Sequence, residues 1–407
     1  MILPQHQMEM AENSAKVSQL FGMCSALRSQ GKNPVDLTLG NPLEKPLPAF
    51  YEALHEVAAE LEREPDNPHR YMPNPGYLAT REVMAQALSK RTHLDLKASD
   101  IWMIAGCANG LDVCLASLLA PGQEVIMLTP GFMEYARYIE QNQGIVRMVR
   151  SSTDWGIDHS ALVAAINDQT QVLLLNFPNN PTGRVLEESE LAALAETLTQ
   201  IEKRRGKPIL VLEDSPYDQL VFEDHLPSCL MRFYRHSIYM TSFSKSHGLA
   251  GERLGYMALH PEWGTPTERA MLETILTNNL RCRVINAPGI MQRVVARIGP
   301  AACVDLKGCE KRLRRLESAL LKAGFRLKPA KGGFYIFAQL PPSISWEKWT
   351  DWALASDEPI LSVPGPFFGG SNYADHVRFA VTVPEADIER ACRRLENWDH
   401  DERSSHV

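Results

Sequence analysis

The sequence has no Cys-x-x-Cys pair and no cluster of cysteines and histidines at zinc-ligand spacing. Its eight cysteines are scattered over 407 residues, which argues against a disulfide-stapled scaffold and predicts no metal site. No run approaches the roughly 18 apolar residues that a membrane-spanning helix needs, so no membrane partner is expected. The first 15 residues also lack the basic and apolar regions of a signal peptide, which predicts a cytoplasmic protein.

An excess of positive charge is also missing. The chain carries 42 Lys and Arg against 49 Asp and Glu, a formal net charge of −7, so no nucleic-acid partner is expected. What is present is the composition of a compact globular enzyme, with 44% hydrophobic and 22% charged residues. At roughly 150 residues per domain, the length predicts two to three domains.

Between about residues 100 and 260, short apolar runs alternate with segments of helical period. This pattern is typical of crossover units and predicts an α/β domain with a mostly parallel sheet. The predicted strands are 101–105, 125–128, 172–176, 209–213, 238–241 and 254–259, and the predicted helices include 110–119, 132–141, 160–166 and 187–203.

The C-terminal part has a different pattern, with a helix-like 292–298, an amphipathic helix around 303–323 and a hairpin-like 332–340. It predicts a second, smaller α+β domain. We therefore expect an N-terminal arm that is partly in the small domain (1–45), a large domain (46–288), a small C-terminal domain (289–400) and a frayed, charged tail (401–407).

Three apolar strands of the predicted sheet are followed by an amide, a carboxylate and an amine, in Asn180, Asp214 and Lys245. Each has an ordinary structural interpretation as a turn residue, a helix cap or a surface lysine. Ligands of open parallel sheets bind beyond the carboxyl ends of the strands. The joint order of the three residues therefore favours one shared ligand site.

Two segments predict an anion site. Ser242 and Ser244 lie three and one residues before Lys245, and Arg253 lies eight residues after it, a set that suits a phosphate and leaves the amine available for imine chemistry. The second segment is 106–110, where a strand turns into a helix and exposes backbone N–H groups at the helix start.

In this order and spacing, from Gly40-Asn41-Pro42 to Val377-Arg378-Phe379, the motifs resemble those of class I/II aminotransferases. These are pyridoxal-phosphate (PLP) enzymes of fold type I, the aspartate aminotransferase superfamily. The resemblance implies a large PLP-binding domain with a mostly parallel sheet sandwiched by helices, plus a smaller α+β domain. It also implies transfer of an amino group between an L-amino acid and a 2-oxo acid through a PLP Schiff base on Lys245.

The resemblance implies roles for single residues around the cofactor ring. Lys245 would carry PLP and move the substrate proton, and Asp214 would pair with the pyridine nitrogen. Asn180 and Tyr217 would hydrogen-bond the ring 3-oxygen, and Phe132 would stack on the ring. Lys245, Asp214 and Tyr217 are thus the expected catalytic residues.

The resemblance also implies a phosphate site and a dimer. The phosphate ligands would be Ser242, Ser244, Arg253 and the backbone of Cys107 and Ala108, in a turn where many relatives add a hydroxyl or amine side chain. Tyr71 matches a tyrosine that reaches the phosphate from the neighbouring subunit, which implies a homodimer.

For the substrate, the resemblance implies that Arg378 clamps the α-carboxylate together with Gly40 and Asn180; the alternative for Arg378 is a surface arginine on a strand. Arg281 or Arg283 lies near the position where some relatives bind a distal carboxylate, but a structural or interfacial arginine fits equally well. The amino acid itself is not indicated.

Two alternative functions share these residues. Lyases, racemases and oxidases of fold type I use the same lysine, aspartate and phosphate site. A PLP-sensing regulator would need a DNA-binding module, for which the residues before Gly40 leave no room.

Overall fold

The structure, a computed structural model, describes Met8 and residues 22–222, 228–342 and 344–404, and the side chains as far as Trp398. The helices in chain order are α1 (22–29), α2 (Pro48–Arg63), α3 (Leu78–Thr92), α4 (Cys107–Leu118), α5 (Tyr135–Gln141), α6 (His159–Ala165), α7 (Glu188–Arg205), α8 (Phe243–Ser246), α9 (Pro266–Arg283), α10 (Gly289–Ile298), α11 (Leu306–Lys322), α12 (Trp346–Leu354) and α13 (Glu385–Ser404). The strands are β1 (Val35–Asp36), β2 (Ile101–Ile104), β3 (Glu124–Thr129), β4 (Ile145–Arg150), β5 (Thr170–Leu175), β6 (Leu210–Asp214), β7 (Ser237–Ser242), β8 (Gly255–Leu259), β9 (Arg326–Leu327), β10 (Tyr335–Gln339), β11 (Ile360–Leu361), β12 (Val363–Pro364) and β13 (His376–Ala380).

The described chain forms two compact units. The central unit comprises Glu44–Asn179 and Arg184–Leu306. The terminal unit comprises the described residues up to Leu43, the short segment Asn180–Gly183 and the described residues from Lys307 onward.

A seven-stranded sheet in the order β2-β8-β7-β6-β5-β3-β4 forms the centre of the central unit. The pairs from β7 to β4 are parallel, and β8 runs antiparallel to both of its neighbours, so the sheet is mostly parallel, as predicted. All six predicted strands are present. Strand β4 was not predicted, because it is an edge strand in which only Val149 is buried.

Both faces of this sheet are covered by helices, which explains why its strands are continuous apolar runs. On β5, Val172 and Leu174 pack into one hydrophobic cluster with α4 and α9. Leu173 and Leu175 point the other way, into a second cluster with α6 and α7. The result is the sandwiched α/β architecture that the sequence predicted.

The terminal unit contains a four-stranded antiparallel sheet, β12-β13-β10-β9, and the parallel pair β1-β11. In the register of β10 and β13, Phe337 lies opposite Arg378. The segment Asn180–Gly183 is tied to this unit by a 2.9 Å hydrogen bond from the Lys331 N–H to the Gly183 carbonyl.

The boundary between the units differs from the one expected at residue 288. Helix α10 packs against α2 and belongs to the central unit, so that unit continues to Leu306. At the other end, residues 401–404 continue α13, whereas 405–407 of the expected frayed tail lie outside the described residues. In the part of the chain that the structure describes, no helix is long and apolar enough to cross a bilayer.

Candidate active site

The carboxyl end of the parallel sheet brings two functional segments of the central unit side by side. Strand β6 ends at Asp214, and its neighbour β7 ends at Ser242 and continues directly into the short helix α8, which contains Lys245. The parallel register pairs Asp214 with Met240, two residues before the end of β7. The strand-end rule therefore placed Asp214 and the Lys245 segment correctly on one rim.

The Asp214 carboxylate is buried and only half satisfied. The Tyr135 hydroxyl donates to Oδ2 at 2.6 Å, and the Asn176 side-chain amide donates to the Asp214 main-chain carbonyl at 2.8 Å. The other carboxylate oxygen, Oδ1, is buried without a hydrogen-bond partner. A buried polar atom without a partner is costly, so this oxygen marks a place for a donor from a ligand.

Burial raises the pKa of Asp214 to about 6, and the interactions with the Tyr135 hydroxyl and the Cys107 thiol work in the opposite direction. Burial and the charge of Asp214 both raise the pKa of Tyr135, which therefore stays a neutral donor. Asp214 is consequently ionised at neutral pH and is held by a neutral partner, so a positively charged N–H donor at Oδ1 would be stabilised there.

The arginine and the two serines that were predicted to bind an anion meet in one cradle. Arg253 Nη1 donates to Ser244 Oγ at 3.3 Å, and Nη2 donates to the Ala105 carbonyl at 3.0 Å. Ser242 Oγ donates to Ser244 Oγ at 2.7 Å. Gly106 is required here, because its φ is +86° and a Cβ would lie 2.5 Å from Arg253 Nη2.

Helix α4 starts at Cys107, directly after this glycine, so the N–H groups of Cys107 and Ala108 belong to its first turn. First-turn N–H groups have no partner within their own helix, and an anion is stabilised there. Burial raises the pKa of the Cys107 thiol well above its ordinary value, with the charge of Asp214 adding to this effect. The thiol is therefore neutral, and Cys107 and Ala108 offer an anion only backbone donors.

The remaining predicted residues of the central unit follow strands of the same sheet. Tyr217 is buried in the loop after β6, and Lys245 is half-buried in α8. Phe132 lies after β3, where its ring contacts Tyr135 edge-to-face at 5.3 Å between centroids. Tyr71 is the exception, because its side chain is 86% exposed on the surface of the unit.

The terminal unit contains the residues that were predicted to bind the substrate carboxylate. Arg378 is buried on β13, where Nη1 donates to Asn180 Oδ1 at 3.1 Å and Nη2 donates to the Thr38 carbonyl. Its guanidinium lies 4.5 Å from the ring centroid of Tyr335 and 5.0 Å from that of Phe368. A buried arginine held in this way is suited to a carboxylate.

Gly40 belongs to the same group, because a Cβ built on it would overlap the hydroxyl of Tyr335. The candidate Arg283 lies elsewhere, in the central unit, where Nε binds Asp112 Oδ2 at 2.6 Å and Nη1 donates to Asn279 at 2.9 Å. These contacts give Arg283 a structural role, whereas the side chain of Arg281 is exposed.

Tyr135 was missed by the sequence reasoning, although it makes the shortest polar contact of Asp214. A signal was available, because it follows Phe132 by three residues beyond the carboxyl end of β3. Tyr335 was also missed, and its role depends on packing that no motif shows. Within the described ranges, no three His, Cys, Asp or Glu side chains form a group that could hold a metal ion.

The family model for aminotransferase class I and II matches residues 32–395, so the chain belongs to this family. It is 27% identical over 334 residues to the aspartate aminotransferase of Pyrococcus horikoshii, covering 80% of this chain and 82% of the relative. It is 27% identical over 381 residues to a probable N-acetyl-LL-diaminopimelate aminotransferase of Bacillus subtilis, covering 91% of each.

Solved structures confirm the fold. An aminotransferase from Eubacterium rectale superposes with a TM-score of 0.87 at 23% identity, covering 98% of this chain and 99% of its own. Aspartate aminotransferase from Thermus thermophilus with maleate superposes with a TM-score of 0.80 at 22% identity, covering 94% of this chain and 96% of its own. The protein is therefore an aminotransferase of the class I and II family, whose members use PLP, and nothing favours the lyase, racemase, oxidase or regulator alternatives.

Proposed function

We propose that this aminotransferase binds PLP in the central unit and transfers an amino group between an L-amino acid and a 2-oxo acid. The observation that carries the proposal is the Asp214 carboxylate, which is buried, ionised and without a partner at Oδ1. A protonated pyridine nitrogen is a cationic N–H donor, which is what this oxygen requires. The central unit would thus be the PLP-binding domain that the sequence predicted.

The cradle around Arg253 fits the phosphate of the cofactor. Arg253 supplies charge and two donors, Ser242 and Ser244 supply hydroxyls, and the first turn of α4 supplies N–H groups. This set would hold a dianion without any side chain from Cys107 or Ala108. Phe132 would cover the ring face, and Tyr217 would hydrogen-bond the ring 3-oxygen.

When bound, PLP supplies an electron-withdrawing ring that stabilises negative charge at the substrate Cα. The side chains of the protein would anchor the cofactor, move the proton and set the charge of the ring. The amine of Lys245 would anchor the cofactor and then move the proton from and to the substrate Cα. The Asp214 carboxylate would keep the ring nitrogen protonated, because an anion next to that nitrogen favours its charged form.

Arg378 would bind the substrate α-carboxylate. Its guanidinium is planar and packs against the rings of Tyr335 and Phe368, which suits bidentate binding of a carboxylate. The resemblance assigned Asn180 to the cofactor ring as well. Its 3.1 Å bond with Arg378 Nη1 supports a further role, orientation of this arginine.

The test of the cofactor site is Lys245→Ala, with the exposed Lys97→Ala as matched control. We expect wild type and Lys97→Ala to show visible absorbance with PLP, and borohydride to fix the cofactor to the peptide that contains Lys245. Lys245→Ala should lose the covalent attachment and nearly all amino transfer. Covalent attachment that persists in Lys245→Ala would refute the assignment.

Arg378→Ala tests the carboxylate site, with Arg326→Ala on the exposed strand β9 as control. We expect KM to rise about a hundredfold for every amino donor alike, since a charge-assisted bidentate contact is lost. A panel of L-amino acids and 2-oxo acids would at the same time identify the substrate. An unchanged KM in Arg378→Ala would remove this residue from the site.

We also propose a homodimer in which Tyr71 reaches the partner subunit. Tyr71 is one of several exposed large apolar side chains of the central unit, which also include Leu78, Ile285 and Ile290. Asn74 donates to the Ile285 carbonyl at 3.2 Å, which joins these segments into one surface. A cytoplasmic location remains a prediction, which cell fractionation can check.

A further inference from the structure

A buried ion pair lies next to the loop that joins Asp214 to Tyr217. Asp218 follows Tyr217 directly, and its Oδ2 pairs with Nη1 of Arg91, near the end of α3. The Tyr239 hydroxyl donates to the same Oδ2, and Thr241 Oγ1 lies 3.3 Å from Oδ1. The Asp218 carboxylate thus contacts both α3 and β7.

The loop is held by its backbone as well. The Ser215 N–H donates to the Met240 carbonyl at 2.8 Å, and the Asp218 N–H donates to the Ser215 carbonyl at 3.3 Å. Thr241 Oγ1 lies 2.9 Å from that Ser215 carbonyl, so its single proton serves either this oxygen or Asp218. Both ends of the loop are therefore fixed to β7, with Tyr217 between them.

Arg91 keeps its charge in this position. Burial lowers its pKa, but the electrostatic interactions with Tyr239 and Asp218 outweigh burial and hold the pKa above its ordinary value. The guanidinium stacks on the Tyr239 ring at 4.7 Å from the centroid. Buried ion pairs contribute little net stability compared with apolar packing, whereas removal of one partner leaves a buried charge without compensation.

We infer that Asp218 and Arg91 are positioning residues for the PLP site. They hold the loop after β6 so that the Tyr217 hydroxyl and the Asp214 carboxylate stay in place for the cofactor ring. Neither residue touches the reacting groups. The inference rests on the proposed function, because it assumes that Tyr217 and Asp214 contact the cofactor.

The central unit offers a matched control in the ion pair between Arg269 and Asp100. The side chains of Arg269 and Asp100 are 16% and 7% exposed, against 20% and 5% for Arg91 and Asp218. Asp100 lies just before β2, at the opposite end of that strand from the candidate site. Asp100→Asn therefore removes a carboxylate of similar burial without touching the loop.

The experiment compares Asp218→Asn, Arg91→Lys and Asp100→Asn as PLP-loaded enzymes. We expect Asp218→Asn and Asp100→Asn to lose similar resistance to urea. Of these two, Asp218→Asn alone should shift the pKa of the cofactor's visible absorbance, by about one unit, and lower kcat about tenfold with a smaller change in KM. Arg91→Lys should fall between wild type and Asp218→Asn.

The titration of the cofactor has to be distinguished from the titration of other ionisable groups near Arg91. Burial raises the pKa values of Cys229 and Tyr256, which places both above the titrated range. Burial also raises the pKa of Glu213 to about 7, within that range. The absorbance titration is therefore repeated in the Glu213→Gln background, where the shift caused by Asp218→Asn should persist.

Tyr239→Phe provides a milder variant if Asp218→Asn does not fold, because it removes one hydrogen bond and keeps the ion pair. It should shift the absorbance pKa in the same direction by a smaller amount. If Asp218→Asn has the same absorbance titration and the same kcat as Asp100→Asn, the inference is overturned. Absence of visible absorbance in the PLP-treated wild type would instead overturn the proposed function.

Discussion

Tyr135 donates a 2.6 Å hydrogen bond to one oxygen of Asp214, and the second oxygen of that carboxylate is buried without a partner. The tyrosine is neutral, so it orients the carboxylate without cancelling its charge. Protein contacts thereby satisfy one side of the group and leave the other side for a ligand. This asymmetry is the strongest link between the structure and the proposed cofactor.

Tyr135→Phe should weaken PLP binding, most of all at low pH. Removing the hydrogen bond raises the pKa of Asp214 further above about 6, so less of the carboxylate is ionised at a given acidic pH. We expect the dissociation constant for PLP to rise about tenfold at pH 6 and less at pH 8. Absorbance titration measures it. Tyr138→Phe, in the same helix, is the control, and equal losses at both pH values would contradict the prediction.

Glu213 should make the cofactor-free protein less stable as pH rises. Burial raises its pKa from 4.5 to about 7, so the folded state keeps a proton that the unfolded state releases. Unfolding free energy should therefore fall by roughly 3 kcal/mol through this window because of this one group. Urea unfolding at several pH values should show a smaller decline in Glu213→Gln. The exposed Glu196→Gln should keep the wild-type decline, and parallel curves for all three proteins would rule the effect out.

Gly40→Ala should weaken substrate binding through Tyr335. The added methyl overlaps the Tyr335 hydroxyl and lies 2.8 Å from Cζ, which displaces the ring that grips Arg378. We expect KM to rise about tenfold, and Gly40→Ala/Tyr335→Phe to recover part of the loss because the hydroxyl is gone.

Gly308→Ala is the control for this prediction, since a Cβ there would meet nothing closer than 3.4 Å. It should leave KM unchanged. A double variant that binds substrate no better than Gly40→Ala would show that the hydroxyl is not the obstacle.

Tyr71 can be tested by mixing two inactive variants, Tyr71→Ala and Lys245→Ala. If Tyr71 acts on the partner subunit, each hybrid dimer contains one complete site. About half of a random mixture is hybrid, so activity should recover to about a quarter of wild type. No recovery, with hybrid dimers verified by mass, would place Tyr71 in its own subunit, and full activity of Tyr71→Ala alone would remove it from the site.

The sequence predicted the buried strands of the central unit because their apolar runs are continuous. It failed at β4, where Arg147 and Arg150 interrupt the apolar residues of an exposed edge strand. No pattern in the sequence indicated that the compact central unit continues past residue 288 to Leu306. The attachment of α10 to α2 depends on packing between segments more than 200 residues apart, and no local pattern records it.

Only those residues of the candidate site that belong to sequence motifs could be predicted. Asp214, Lys245 and Arg253 were predicted because strand ends and spacing mark them. Tyr135 and Asp218 were not, because their importance depends on which side chain faces which across neighbouring elements. That information lies in register and rotamers, and a single sequence does not carry it.

The terminal unit is assembled from separated pieces of chain, and this sets the order of events during synthesis. Strand β1 pairs with β11, which leaves the ribosome about 325 residues later. The nascent chain therefore carries Val35–Asp36 without its partner while the whole central unit is made. Truncated products that end near Leu306 would therefore leave Val35–Asp36 without its partner strand.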